Sequence, residues 1–153
     1  MYQEILLAVA LQRWQEFTPH ALAAREAAVT LAKGSEAKLS VLSVYEYGKI
    51  EEPGLPLEEG ARYREDQLSR IDAMMEAKMK VFLAEVGGMG IPITAILKTG
   101  EPRKMIVAMT QTLRADLLVL GAHSKRSVFD AILGGTASYV SRHAPCPVLM
   151  VKP

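Results

Sequence analysis

Short apolar runs alternate with helix-period stripes along the whole chain. The first run, EILLAVA (4–10), has no polar position after Glu4 and reads as a buried strand. Thr18 then precedes Pro19, an N-cap residue followed by a residue pre-shaped for the first helical position. Ala21, Ala24, Ala28 and Leu31 recur at helical spacing, and Gly34 is expected to close that helix as its C′ residue. KLSVLSVYE (38–46) reads as a second strand. The stretch after it holds Pro53, Gly54, Pro56 and Gly60, so 48–60 is expected to be a surface crossover and the best candidate for a mobile region. Leu68, Ile71, Met75, Met79, Phe82 and Val86 form one stripe of a long helix, which Gly87, Gly88 and Gly90 end. IPITAIL (91–97) is a third strand, and Gly100 and Pro102 open a third helix with Ile106, Met109 and Leu113 facing inward. ADLLVLG (115–121) is a fourth strand. A polar stretch from His123 to Ser127 leads to a fourth helix over roughly 131–142, and PVLMVK (147–152) is a fifth strand.

Strict alternation of strand and helix predicts parallel strands joined by right-handed helical crossovers. Four of the five expected strands are nearly wholly apolar, as required when helices cover both faces of a sheet. The expected fold is therefore α/β, one doubly wound five-stranded parallel sheet. No internal repeat, low-complexity segment or second domain interrupts it, so 1–153 is taken as a single domain.

Composition narrows the function classes. Half of the 153 residues are apolar and 23% are charged, an ordinary globular profile. A net charge of +1 gives no nucleic-acid footprint. The apolar run Ile5–Leu11 is too short for a membrane span and lacks the basic flank of a signal peptide, so a cytoplasmic protein without membrane contact is expected. The lone Cys146 excludes an internal disulfide and a multi-cysteine zinc site. His20, His123 and His143 have no metal-ligand spacing, and no Ser-His-Asp set or distinctive carboxylate pair appears. No catalytic or metal-binding residue is assigned.

One segment has the makings of a ligand site. In ADLLVLGAHSKRSVFDAILGGT (115–136) an apolar strand ends at Gly121, a polar loop follows, and a helix begins near Gly134. Backbone N–H groups at a helix start lack partners and carry partial positive charge, and glycines let an anion approach them closely. Phosphate is the natural guest, with Lys125 and Arg126 as added charge. On composition alone the same glycines also serve as plain turn residues and the basic pair as a solvated one.

The span ADLLVLGAHS…LGGTASYVSRHAPCPVLMVKP resembles the end of a universal stress protein, and the opening YQEILLAVA, the KLSVLSVYE strand and GEP at 100–102 match that family as well. The resemblance covers the chain except 48–64. It implies an adenine nucleotide alpha hydrolase-like sheet of strand order 3-2-1-4-5, dimerisation, and an ATP site built on Gly-x2-Gly-x9-Gly-Ser/Thr. In that order strands one and four are neighbours with diverging crossovers, and ligands favour the crevice at such a switch point. Carried over residue by residue, Gly121 matches the first glycine and Gly134 the third, whereas Ser124 stands at the second and Gly135 at the Ser/Thr position. Thr136 supplies a hydroxyl one position late, and His123 lies in the same loop. Ala10 stands where ATP-binding members carry an aspartate, and Val44 corresponds to the strand-two residue whose backbone meets adenine. Each lost charged or hydroxyl contact is worth roughly 1–3 kcal/mol. Several together shift an affinity from about micromolar toward about millimolar.

The resemblance therefore implies a non-enzymatic stress-response protein that works through dimerisation and contacts with other proteins, with weak or absent ATP binding. The alternatives are an adenine-nucleotide-binding switch of the same family, with slow or no hydrolysis, and a small-molecule enzyme on the same scaffold, against which the missing catalytic set speaks. In the implied order strand 147–152 is an edge that is apolar on both faces. Such an edge invites pairing with another chain, so a homodimer through it is expected.

Overall fold

The computed structural model describes residues 1–11, 17–49, 65–121 and 135–153. In chain order its elements are β1 (Glu4–Ala8), α1 (Pro19–Ser35), β2 (Lys38–Tyr45), a 3-10 turn (Tyr47–Lys49), α2 (Glu65–Ala84), β3 (Ile93–Thr99), α3 (Pro102–Thr112), β4 (Leu117–Gly121), α4 (Gly135–His143) and β5 (Val148–Val151). The strands form one sheet in the order β3-β2-β1-β4-β5, every pair parallel. Central β1 sets the register, with Ile5 opposite Leu39 on one side and Leu117 on the other.

The period of a strand divides the core into two layers. Ile5 and Leu7, Leu39 and Val41, and Leu117 and Val119 face α1 and α2. Leu6 and Ala8, Leu42 and Val44, and Leu118 and Leu120 face α3 and α4. On the first face α1 brings its fully covered Ala24 and Ala28, whose small side chains let the helix lie close to the sheet. The stripe of α2 falls as its sequence predicts, with Ile71, Met75, Met79 and Phe82 buried and Val86 just past the helix end. Covering a side chain such as Phe82 contributes about 2–3 kcal/mol. On the second face Ile106, Ala137 and Val140 close the layer.

Local signals set most helix ends. Thr18 is the N-cap of α1, its Oγ1 accepting from the Ala21 N–H at 3.1 Å, and Pro19 takes the first helical position. Gly34, however, does not close α1. The helix runs through Ser35, and Glu36 adopts the left-handed cap (φ 56°, ψ 34°) while its N–H reaches the Ala32 and Lys33 carbonyls. The chain must next place Ala37 in the core and Lys38 at the start of β2, and that tertiary demand moves the cap two residues beyond the glycine. β3 also differs from its apolar run. It starts at Ile93 rather than Ile91 and continues to Thr99, because Val44 and Tyr45 of β2 offer partners to Lys98 and Thr99. An edge strand tolerates those polar residues. The 131–134 part of the expected fourth helix and nearly all of the 48–60 crossover lie outside the described residues. Among the described residues no helix is long and apolar enough to cross a membrane.

Polar bonds hold both ends of the sheet. Asp116 accepts the N–H groups of Gln3 and Glu4 and so fixes the start of β1 against β4. At the other end the phenols of Tyr45 and Tyr47 both donate to Asp72 Oδ1 of α2, at 2.5 and 2.9 Å, with their rings edge to face. Burial first, and then the bond to Asp72, push the Tyr45 pKa up, so this phenol stays a proton donor throughout the neutral range.

Candidate ligand cleft

At the carboxyl end of the sheet, β1 hands the chain to α1 on one face and β4 hands it on toward α4 on the other. The Leu42 carbonyl holds one further N–H of the first strand, that of Val9. The chain then turns away, leaving Ala10 exposed while Leu11 is buried. Lys78 of α2 donates to the Leu11 carbonyl at 3.1 Å and anchors that exit. The divergence opens a cleft of about 300 Å³. It is lined by Ala8, Val9 and Ala10, by Leu42 and Val44 of β2, and by Leu120 and Gly121 of β4. Pro102 and Ile106 of α3 and Gly135, Thr136 and Ala137 of α4 complete it. The volume lies at the small end of the range for small-molecule sites.

The structure thus brings together Ala10, Val44, Gly121, Gly135 and Thr136, five residues that the sequence assigns to a nucleotide site. His123, Ser124 and Gly134, with Lys125 and Arg126, lie outside the described residues. Two of the glycines play different parts. A Cβ on Gly121 would lie 2.8 Å from the His20 carbonyl oxygen and 3.0 Å from its carbon, so the close approach of the start of α1 alone requires glycine here. A Cβ on Gly135 would meet nothing within 4 Å, so a serine fits there without strain. Gly135 and Thr136 are the first described residues of α4, and both line the cleft. The only polar side chain among the described lining residues is that of Thr136.

Polar groups gather at one rim, where the sequence reading assigned nothing. Glu101 caps α3 and its carboxylate accepts from Arg103 Nε; Lys104 Nζ lies 3.7 Å from the second oxygen. That bond to Arg103 is the main cause holding the Glu101 carboxyl below its ordinary pKa. The Arg103 guanidinium also lies over the Tyr139 ring, 5.6 Å from its centroid, and Tyr139 stacks on His143 at 4.1 Å. His143 reaches back to the Tyr139 carbonyl and ends α4. Cys146 lies apart from the cleft, half-buried against the second core layer; burial pushes its pKa up, so little thiolate forms at neutral pH. No group of three or more metal-ligating side chains occurs among the described residues.

Comparison with known proteins agrees with this architecture. A universal stress protein of Methanocaldococcus jannaschii is 29% identical over 131 residues, covering 86% of this chain and 74% of the relative. A structure of a universal stress protein in complex with cAMP superposes with a TM-score of 0.70 at 21% identity, covering 99% of this chain and 97% of the other. One from Arabidopsis thaliana with AMP bound gives 0.63 at 19% identity, covering 98% of this chain and 90% of the other. Both are the same fold. A universal stress protein of Thermus aquaticus is 30% identical over 153 residues, 99% of this chain and 100% of the relative. With that end-to-end match, and with the model of the universal stress protein family spanning residues 1–152, the chain belongs to the universal stress protein family.

Proposed function

We propose that this chain is a non-enzymatic stress-response protein that acts as a homodimer and holds adenine nucleotide weakly in the cleft between β1 and β4. One observation carries the weak binding: the described lining of the cleft bears no charged side chain and presents the methyl group of the exposed Ala10. Relatives of the same fold with cAMP and AMP bound support adenine nucleotide as the ligand class. The unmodified protein is expected to bind ATP with a Kd on the order of hundreds of micromolar or weaker. The triple variant Ala10→Asp, Ser124→Gly, Gly135→Ser should bind about tenfold or more tightly, each restored contact being worth roughly 1 kcal/mol or more. Open space above Gly135 and the exposure of Ala10 let two of these side chains enter freely. The second reading, a nucleotide-binding switch, is favoured by the place of Gly135 and Thr136 of α4 in the wall of the cleft. Calorimetry separates the two: a low-micromolar ATP affinity in the unmodified protein selects the switch.

The dimer reading is supported by β5. It is a sheet edge of four apolar residues whose Leu149 is 37% exposed, and only Lys152 beyond it offers a blunting charge. A second copy related by a two-fold axis would continue the sheet through the same strand, antiparallel across the interface. Sedimentation at micromolar concentration should give a dimer, and Leu149→Lys or Met150→Pro should give monomers or insoluble protein. A clean monomer from the unmodified chain ends this reading. The single cysteine fits a reducing compartment such as the cytoplasm.

A further inference from the structure

We propose that Arg103 contacts the phosphate of a nucleotide held in the cleft, so that the rim between α3 and α4 supplies the charge that the described lining lacks. The proposal rests on the nucleotide reading above and adds to it a residue outside the glycine motif. Arg103 directly follows Pro102, a lining residue. Its guanidinium lies over Tyr139, which stands three positions after Thr136, another lining residue, and therefore on the same face of α4. The cationic group thus bridges the first turn of α3 and the turn of α4 that holds Tyr139, within about one helical turn of two cleft walls.

Two supports hold it there. Glu101 accepts from Nε, and the guanidinium carbon lies over the Tyr139 ring. The terminal nitrogens have no hydrogen bond among the described residues, and the side chain is 51% exposed, so the outer half of the fork is open to a ligand. Arg103 and Lys104 share the single carboxylate of Glu101, so the rim keeps a net positive charge. A planar fork with two free terminal nitrogens, already oriented, matches two oxygens of a phosphomonoester. An exposed ion pair with no further role would be worth almost nothing to the fold. The ligand class that fits is a nucleoside 5′-monophosphate, with its base and sugar against the apolar lining.

NMR titration of the unmodified protein, Arg103→Ala and Arg103→Lys with AMP and with adenosine tests this. The unmodified protein should bind AMP more tightly than adenosine. Arg103→Ala should lose about tenfold in AMP affinity, and Arg103→Lys should recover part of that loss. Adenosine should bind all three alike, and added salt should weaken AMP binding more in the unmodified protein than in Arg103→Ala. If the unmodified protein prefers AMP and Arg103→Ala leaves that preference intact, the role of Arg103 is refuted while the nucleotide reading stands. Equal binding of AMP and adenosine by the unmodified protein, or an equal loss of both in Arg103→Ala, also refutes it, the latter by marking a structural role. If the unmodified protein binds neither compound, the nucleotide reading fails and this proposal with it.

Discussion

Gly121→Ala is expected to lower the melting temperature by roughly 5–10 °C. The added methyl group would sit 2.8 Å from the His20 carbonyl oxygen and 3.0 Å from both its carbonyl carbon and its Cβ. Two of those atoms are backbone, at the start of a helix fixed by the Thr18 cap and by Pro19, and they cannot swing aside as a side-chain tip does. Either α1 lifts from β4 or the end of β4 bends. Overpacking of this kind costs about 2–3 kcal/mol, and in a domain of this size each kcal/mol shifts the midpoint by about 2–4 °C. Gly135→Ala is the matched control. Its methyl group meets nothing within 4 Å and lies on α4, so its melting temperature should stay level or rise slightly. Calorimetric melts that place Gly121→Ala beside the unmodified protein would show that the His20 contact relaxes cheaply.

Arg25 gives the second large effect. Its side chain is buried between α1 and α2, and Nη1 donates to the Phe82 carbonyl at 2.7 Å. That carbonyl belongs to the last turn of α2, where a helix leaves its acceptors unpaired, so an arginine from another helix caps it. The guanidinium carbon lies 5.0 Å from the Phe82 ring centroid, and the other terminal nitrogen bonds Glu85 at 2.7 Å. Glu85 is 76% exposed, so water replaces its partner readily if the pair is broken. Urea unfolding should therefore show a graded series. Arg25→Ala is expected to cost about 3 kcal/mol through lost packing and an abandoned carbonyl. Arg25→Met keeps the stem and should cost about 1–2 kcal/mol. Glu85→Ala should stay within about 0.5 kcal/mol. A Glu85→Ala as damaging as Arg25→Ala would place the energy in the ion pair instead of the cap.

The parts of the fold that depend on local chemistry can be read from the chain. The run EILLA, the Thr18-Pro19 start and the Ile71–Met75–Met79–Phe82 stripe each carry their own instruction, and all three hold in three dimensions. Long-range demands are the ones that escape. Glu36 takes a left-handed conformation that residue preference assigns to Gly34, because β2 must start at Lys38. The site divides the same way. Val44, Gly121, Gly135 and Thr136 are recoverable as members of one cleft because strand order alone assembles it. The reason Gly121 is glycine is not recoverable, since it depends on a helix a hundred residues earlier in the chain. Arg103 over Tyr139 is equally silent in the sequence, where GEPRK reads as a helix start and ASYVS as the interior of another helix.

The near-absence of polar side chains from the described lining of the cleft also bears on how a base would be told from its analogues. Discrimination between purines needs donors and acceptors set against the base edge, and a site that offers only apolar contact separates close analogues by no more than about 10- to 200-fold. Thr136 is the one described lining side chain able to hydrogen-bond, and it sits at the start of α4. Edge recognition in the described part of the cleft must therefore come from main-chain N–H and C=O groups, such as those where β1 and β2 end. Side-chain replacement there, from alanine to valine or from valine to isoleucine, would alter the room for a base without altering the hydrogen bonds that read it.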